Sequence, residues 1–183
     1  MKRHSVHRLA FSAMIAAAYA VLTIATGFMS FGTVQLRVAE ALCILPYFFL
    51  WTTWGLFAGC LLANLLSPLG APDVIFGSLA TLLSCCCVAV IGKGGRERGW
   101  GHCIAACCMP VLWNGVIVGS VMALTGEYTL LLFPALLLSF GGMVALGEAA
   151  VMFIVGLPLL RWLPGSRVFR KFSEMLDSGE STE

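Results

Sequence analysis

The feature that most constrains this chain is a series of apolar runs, each long enough to approach the thickness of a lipid bilayer. The first covers residues 9–28, and about 20 apolar residues suffice for a transmembrane helix. The runs are continuous rather than alternating, which indicates helices instead of strands. Only 11% of the 183 residues are charged, against about 25% in a soluble domain. We therefore expect an all-α integral membrane protein.

Turn-forming residues between the runs predict six transmembrane helices. Proline lacks a backbone N–H, so we expect the second helix to bend near Pro46. We also expect Pro134 and the glycine pair at 141–142 to interrupt the last run, which would leave a loop or partial helix over residues 129–138. The predicted helices cover residues 9–28, 35–50, 53–66, 73–91, 102–124 and 139–162.

The basic residues indicate which side of the membrane the chain ends face. They occur in the N-terminal tail, in the loop at 93–98 and after the last helix. With six helices these three segments fall on one side, and because Lys and Arg favour the cytoplasmic side, both termini are predicted to be cytoplasmic. We expect a single transmembrane domain over residues 1–164 and a polar, disordered cytoplasmic tail over 165–183.

Several polar and charged residues lie within the apolar runs. A charge at the centre of a membrane helix costs about 2.5–3.5 kcal/mol, so such groups tend to pair, to face a cavity or to lie near an interface. In the six-helix topology these residues come from five helices and converge on the outer half of the bundle. They are Gln35, Arg37, Glu40, Asn64, Asp73, Asn114 and Glu148.

Most of these residues also have a purely structural interpretation. Arg37 and Glu40 are three positions apart on a helix, where opposite charges can neutralise each other. Asn64 and Asp73 flank the SPLGAP segment and could cap helix ends. Asn114 could hydrogen-bond a neighbouring helix. The sequence leaves these alternatives open beside direct ligand contact.

Alanines in the first helix form two overlapping pairs of small residues four positions apart. They are Ala13 with Ala17 and Ala16 with Ala20. Such pairs let a second helix approach closely. The second helix belongs either to this protein or to a partner protein.

Other classes of function have little support. The net charge of +2 gives no electrostatic basis for nucleic-acid binding. The eight cysteines include no CxxC pair, so we interpret them as small buried apolar residues and predict no metal site. No activated nucleophile with its base is visible. We predict neither an enzyme nor a cofactor.

Two sequence blocks carry a resemblance to a known family. VQLRVAEALCILPYF (34–48) and GLFAGCLLANLLSPLGAPDVIFGSLATLL (55–83) contain the patterns QxRxxEAL and ANxxSPxGxxDxxFG. They resemble the queuosine-precursor transporter family, whose members are substrate-binding S-components of energy-coupling factor (ECF) transporters. The resemblance is strong over about residues 10–83. Over the rest of the chain it is weaker and depends on the topology and on Asn114 and Glu148.

The resemblance implies a six-helix, S-component-like bundle in the cell membrane that captures a deazaguanine-type precursor at its extracellular side. The polar residues named above would then contact the substrate. The alanines Ala13, Ala16, Ala17 and Ala20 would dock onto a transmembrane coupling protein. The chain has no GxxxxGKS/T sequence, so two separate ATPase subunits would hydrolyse ATP. The alternatives are an S-component for a different vitamin or nucleobase, or a structural membrane subunit without transport activity.

Overall fold

The computed structural model describes residues 3–31, 34–93, 99–125, 130–167 and 169–171. Every regular element within these ranges is helical, which confirms the all-helical prediction. The α-helices are α1 (Arg3–Ala25), α2 (Gly27–Ser30), α3 (Thr52–Asn64), α4 (Ser78–Gly92), α5 (Trp100–Thr125), α6 (Phe133–Val151) and α7 (Leu157–Trp162). The other helical segments are 3₁₀ helices at Val38–Tyr47, Leu130–Leu132 and Leu163–Gly165, and π-helical turns at Asp73–Gly77 and Met152–Gly156.

Within the described residues, four helical stretches are long and apolar enough to cross a membrane. The segments predicted as the second and third spans are shorter, since Val38–Tyr47 has 10 residues and α3 has 13. The chain is therefore a multi-pass helical membrane protein, and the count of six spans stays a prediction. The four candidate spans are Val6–Ala25, Asp73–Gly92, Trp100–Thr125 and Phe133–Gly165.

The segment predicted as an α-helix over residues 35–50 is instead a 3₁₀ helix over Val38–Tyr47, with Pro46 inside it. A 3₁₀ helix rises about 2.0 Å per residue against 1.5 Å in an α-helix, so ten residues reach about 20 Å rather than 15 Å. This helix contacts α1, α3, α4, α5 and α6, and most of its side chains are buried. The helix packs on several sides, and Pro46 within it has no N–H to donate to a helical hydrogen bond.

The predicted interruption is wrong over residues 133–138, which are α-helical, whereas residues 130–132 form a short 3₁₀ helix and residue 129 lies outside the described ranges. α6 begins at Phe133, and Pro134 lies in its first turn, where a missing N–H breaks no helical hydrogen bond. Gly141 lies inside α6, and a Cβ there would stand 2.6 Å from the carbonyl oxygen of Gly115 in α5. At Gly141 the glycine therefore permits close packing of two helices instead of ending one.

Two π-helical turns widen the helices that carry acidic residues. Asp73–Gly77 opens the fourth span, and Met152–Gly156 follows α6. Pro158 has no N–H to donate to the carbonyl of Ile154, which explains why the helix loses regular α geometry there. Such π turns occur often at functional sites.

The middle of α1 and the start of the predicted tail line one apolar cavity. Phe11 of α1 and Phe169 line one apolar cavity together with Trp51. The Phe169 ring also packs on Phe48 and Phe49, with ring centroids 4.9 Å and 5.4 Å away. The tail thus begins in contact with the bundle, and residues 172–183 lie outside the described ranges.

All eight cysteines are free thiols. Most are buried among apolar neighbours, as the sequence predicts for small apolar residues. Two of them, Cys43 and Cys60, also contact polar side chains that are described below. The buried cysteines are Cys43, Cys60, Cys85, Cys103 and Cys107.

Candidate functional site: a buried polar centre

The seven polar residues that the sequence singles out are all buried, with no more than 2% of any of them exposed. Buried polar groups in an apolar bundle need hydrogen-bond partners to offset the loss of water. The structure brings these residues into a few neighbouring groups. We call the set the polar centre: Gln35, Arg37, Glu40, Asn64, Asp73, Asn114 and Glu148.

Arg37 precedes the long 3₁₀ helix and forms an ion pair with Asp73. Its Nη2 donates to Asp73 Oδ2 at 3.1 Å, and its Nε donates to the carbonyl oxygen of Ser30 at 3.4 Å. The guanidinium carbon also lies 5.7 Å from the centre of the Phe31 ring. The alternative in which Arg37 is neutralised by Glu40 is therefore wrong, because the carboxylate that pairs with Arg37 is 36 residues further along the chain.

Asn64 is the last residue of α3, and its side chain is hydrogen-bonded to the π turn that begins at Asp73. Its Nδ2 donates to the backbone carbonyl of Asp73 at 3.1 Å and lies 3.4 Å from the Cys60 sulfur. A Cβ on Gly77 would stand 2.8 Å from Asn64 Nδ2 and 2.6 Å from Asp73 Oδ1, so only glycine leaves room for both. Asn64 Oδ1 and Asp73 Oδ1 find no hydrogen-bond partner in the described part of the chain.

Glu40 accepts hydrogen bonds on both carboxyl oxygens. The Tyr19 hydroxyl and Thr81 Oγ1 donate to Oε1, the latter at 3.1 Å, and Cys43 Sγ donates to Oε2 at 3.0 Å. These donors come from α1, α4 and the 3₁₀ helix itself. The network joins three elements around one buried carboxyl group.

Asn114 of α5 and Glu148 of α6 form a second buried pair. Asn114 Nδ2 donates to Glu148 Oε1 at 3.2 Å. Among the described residues, neither Asn114 Oδ1 nor Glu148 Oε2 has a partner. Glu148 is close enough to Glu40 and Arg37 for their charges to act on it, which joins this pair to the rest of the polar centre.

Gln35 lies between α5 and α6, directly beside the residue before Glu148. Its backbone carbonyl occupies the space that a Cβ on Gly147 would need. Its Nε2 lies 3.9 Å from the Met122 sulfur, which is a weak acceptor. Gly147 therefore lets the segment before the 3₁₀ helix reach the interior of the bundle.

The four alanines of α1 divide into two faces. Ala16 and Ala20 are buried, and a Cβ on Gly59 of α3 would stand 2.6 Å from the Ala16 carbonyl oxygen. Ala13 and Ala17 are exposed. The first pair packs inside this protein, and the second pair remains available to a partner.

Three residues of the site were not predicted from the sequence: Tyr19, Thr81 and Cys43. Tyr19 and Thr81 are hydroxyl-bearing residues within apolar runs, a signal that indicates buried hydrogen bonds but does not name the acceptor. Cys43 follows Glu40 by three positions, so the two lie on one face of their helix. Only the packing of three elements shows that all three donate to Glu40.

The polar centre offers many hydrogen-bonding groups to a small molecule. It combines one guanidinium, three carboxyl groups and amide groups inside apolar helices, and the described residues include no group of three metal-ligating side chains. Such a site can hold a small polar molecule through hydrogen bonds. Fold and site together define a multi-pass helical membrane protein with an internal polar site.

Comparison with protein families identifies the chain more closely. Residues 9–164 match the family model described as QueT transporter, so the protein belongs to the QueT transporter family, which confirms the resemblance found in its sequence. The family places it among membrane transporters of small molecules. Comparisons with curated proteins and with solved structures give no match.

Proposed function

We propose that this protein is the substrate-capture S-component of an ECF-type importer and that it binds a deazaguanine-type queuosine precursor in the polar centre. One observation carries the proposal. Asn64, Asp73, Asn114 and Glu148 each keep a buried acceptor oxygen that lacks a partner among the described residues. An unsatisfied buried acceptor costs about 1–3 kcal/mol, and a ligand rich in N–H groups would offset that cost.

The chemistry of a deazaguanine fits this set of groups. Its ring N–H and exocyclic amino group are donors suited to carboxyl and amide oxygens, and its carbonyl is an acceptor suited to Arg37 or Gln35. An aminomethyl substituent would add a cation, which a further carboxylate could accept. The polar centre offers both kinds of partner in one place.

The proposed topology has six membrane spans with both termini in the cytoplasm. Phe169, from the segment after the last helix, lines one cavity with Phe11 of α1 and with Trp51. The Arg37–Asp73 pair lies beside Ser30, which follows the far end of α1. In this arrangement the precursor enters from the extracellular side.

The proposed partners are a transmembrane coupling protein and two ATPase subunits in the cell membrane. The exposed Ala13 and Ala17 give α1 a surface of small side chains, and only 22% of this candidate span is buried. Small residues permit close helix contact in lipid. The protein itself would have no enzymatic activity, because ATP hydrolysis would belong to the partner subunits.

The test is uptake of a tritiated aminomethyl deazaguanine by vesicles that contain this protein with or without the coupling protein and ATPases. We expect binding with the protein alone and ATP-dependent accumulation only with the full set. A module with an inactive ATPase is the control for binding without transport. Absence of both binding and uptake would contradict the proposal.

A further inference from the structure

The carboxyl groups of Glu40 and Glu148 differ in how many of their oxygens accept hydrogen bonds from the protein. Both oxygens of Glu40 accept hydrogen bonds from the protein's own donors. Glu148 accepts only one, from Asn114, and its Oε2 has no partner in the described ranges. Because a buried acceptor without a partner is uncommon and costly, Glu148 Oε2 is one of the atoms that a ligand donor would satisfy.

Asn114, whose side chain contacts Glu148, supplies a second buried acceptor. Its Nδ2 is engaged with Glu148 Oε1 at 3.2 Å, so its remaining free atom is Oδ1, also buried and without a partner among the described residues. The hydrogen bond between the two side chains restricts the rotation of each. The pair therefore presents two acceptors whose positions are largely set before a ligand arrives, which lowers the entropic cost of binding.

A rigid pair of acceptors is best matched by a rigid pair of donors. A planar N–C–N edge with an N–H on each nitrogen has this form, and bidentate contacts of that kind are stronger and more selective than single ones. The charges of Glu40 and Arg37 both act on Glu148 and have opposite signs, so the selection of a planar edge rests on the two paired acceptors.

We infer that Asn114 Oδ1 and Glu148 Oε2 together accept hydrogen bonds from a neutral N–C–N edge of the substrate, while Glu40 positions the surrounding helices without contacting it. The inference rests on the proposed function, in which this edge is the ring N–H and exocyclic amino group of a deazaguanine. It assigns different roles to two carboxyl groups that the sequence does not distinguish.

The test measures equilibrium binding of three bases to purified wild type and to Glu148→Gln. The bases are an aminomethyl deazaguanine, its analogue without the exocyclic amino group, and its analogue without the aminomethyl group. In the wild type, loss of the exocyclic amino group should weaken binding on the order of ten- to hundred-fold. In Glu148→Gln the new amide N–H would face that amino group, so this preference should vanish or reverse.

The preference for the aminomethyl group should stay the same in Glu148→Gln. Asn114→Ala is the second variant and should also reduce discrimination at the amino group. Gly142→Ala serves as the comparison, because a Cβ there meets nothing within 4 Å, and it should keep the wild-type ratio between the bases.

The experiment distinguishes failure of the proposed function from failure of the inference alone. A wild type that binds none of the bases would contradict the proposed function and the inference with it. A wild type that binds, with an amino-group preference that Glu148→Gln and Asn114→Ala leave unchanged, would overturn the inference alone. A change in the aminomethyl preference in Glu148→Gln, with the amino-group preference unchanged, would also overturn the inference alone.

Discussion

Arg37 and Asp73 form a buried ion pair that joins two distant segments, with Nη2 and Oδ2 3.1 Å apart. Arg37 precedes the 3₁₀ helix Val38–Tyr47, and Asp73 opens the π turn before α4. Neither side chain is more than 1% exposed. The pair therefore fixes the position of the central 3₁₀ helix relative to the fourth span.

Removing one partner of this pair should be far more harmful than removing both. Arg37→Met or Asp73→Leu alone leaves a buried charge without its partner, which typically costs about 3–5 kcal/mol. The double variant should recover much of the loss. Thermal unfolding in detergent checks this, with the exposed Arg167→Met as a control. A double variant no more stable than the worse single one would contradict the account.

The hydroxyl of Tyr19 should stabilise the protein through Glu40. Tyr19→Phe removes one donor to a buried carboxyl group and should cost about 1–3 kcal/mol. In the background of Glu40→Gln the same change should cost less, with a coupling energy of about 0.5–3 kcal/mol. A double-mutant cycle of unfolding free energies measures the difference. Strictly additive effects would show that Tyr19 and Glu40 do not interact.

Adjacent glycines in α6 should respond oppositely to alanine. Gly141→Ala places a methyl group 2.6 Å from the Gly115 carbonyl oxygen, whereas a Cβ on Gly142 meets nothing within 4 Å. Gly141→Ala should therefore destabilise by about 1–3 kcal/mol. Gly142→Ala should stabilise by about 0.5–1 kcal/mol, because alanine favours the helix. Melting temperatures that move in the same direction would contradict the packing of α5 on α6.

Substitutions at the two faces of α1 should have different effects, on folding at the buried face and on transport at the exposed face. Ala13→Leu with Ala17→Leu changes only exposed positions and should leave folding and substrate binding intact while reducing module-dependent uptake at least ten-fold, if this face docks the coupling protein. Gly59→Leu should instead prevent stable folding, because its side chain would collide with the α1 backbone at Ala16. Normal uptake by the alanine double variant would exclude this face as the docking surface.

The sequence predicts what depends on local composition. Continuous apolar runs were sufficient to predict an all-helical membrane protein, and the two motif blocks identified the family that residues 9–164 match. The breaker cluster before Asp73 also placed the start of the fourth span correctly. Each of these features depends on the composition of one chain segment and not on contacts between segments.

What the sequence does not predict depends on contacts between segments. Val38–Tyr47 is a 3₁₀ helix in contact with five α-helices, whereas the apolar pattern of its sequence predicted an α-helix. Spacing alone suggested Glu40 as the partner of Arg37, whereas the fold brings Asp73 to that position. Proline was expected to break the last run at Pro134, but at a helix start it is compatible with the α-helix.

The central claim is that a small substrate binds within the buried polar centre. The most direct measurement is a structure of the purified protein with an aminomethyl deazaguanine. We predict ligand density with donor atoms about 2.7–3.2 Å from Asn114 Oδ1 and Glu148 Oε2, and no direct contact with Glu40. Ligand density confined to the apolar surface groove between α5 and α6, beside Leu112 and Leu138, would contradict the claim.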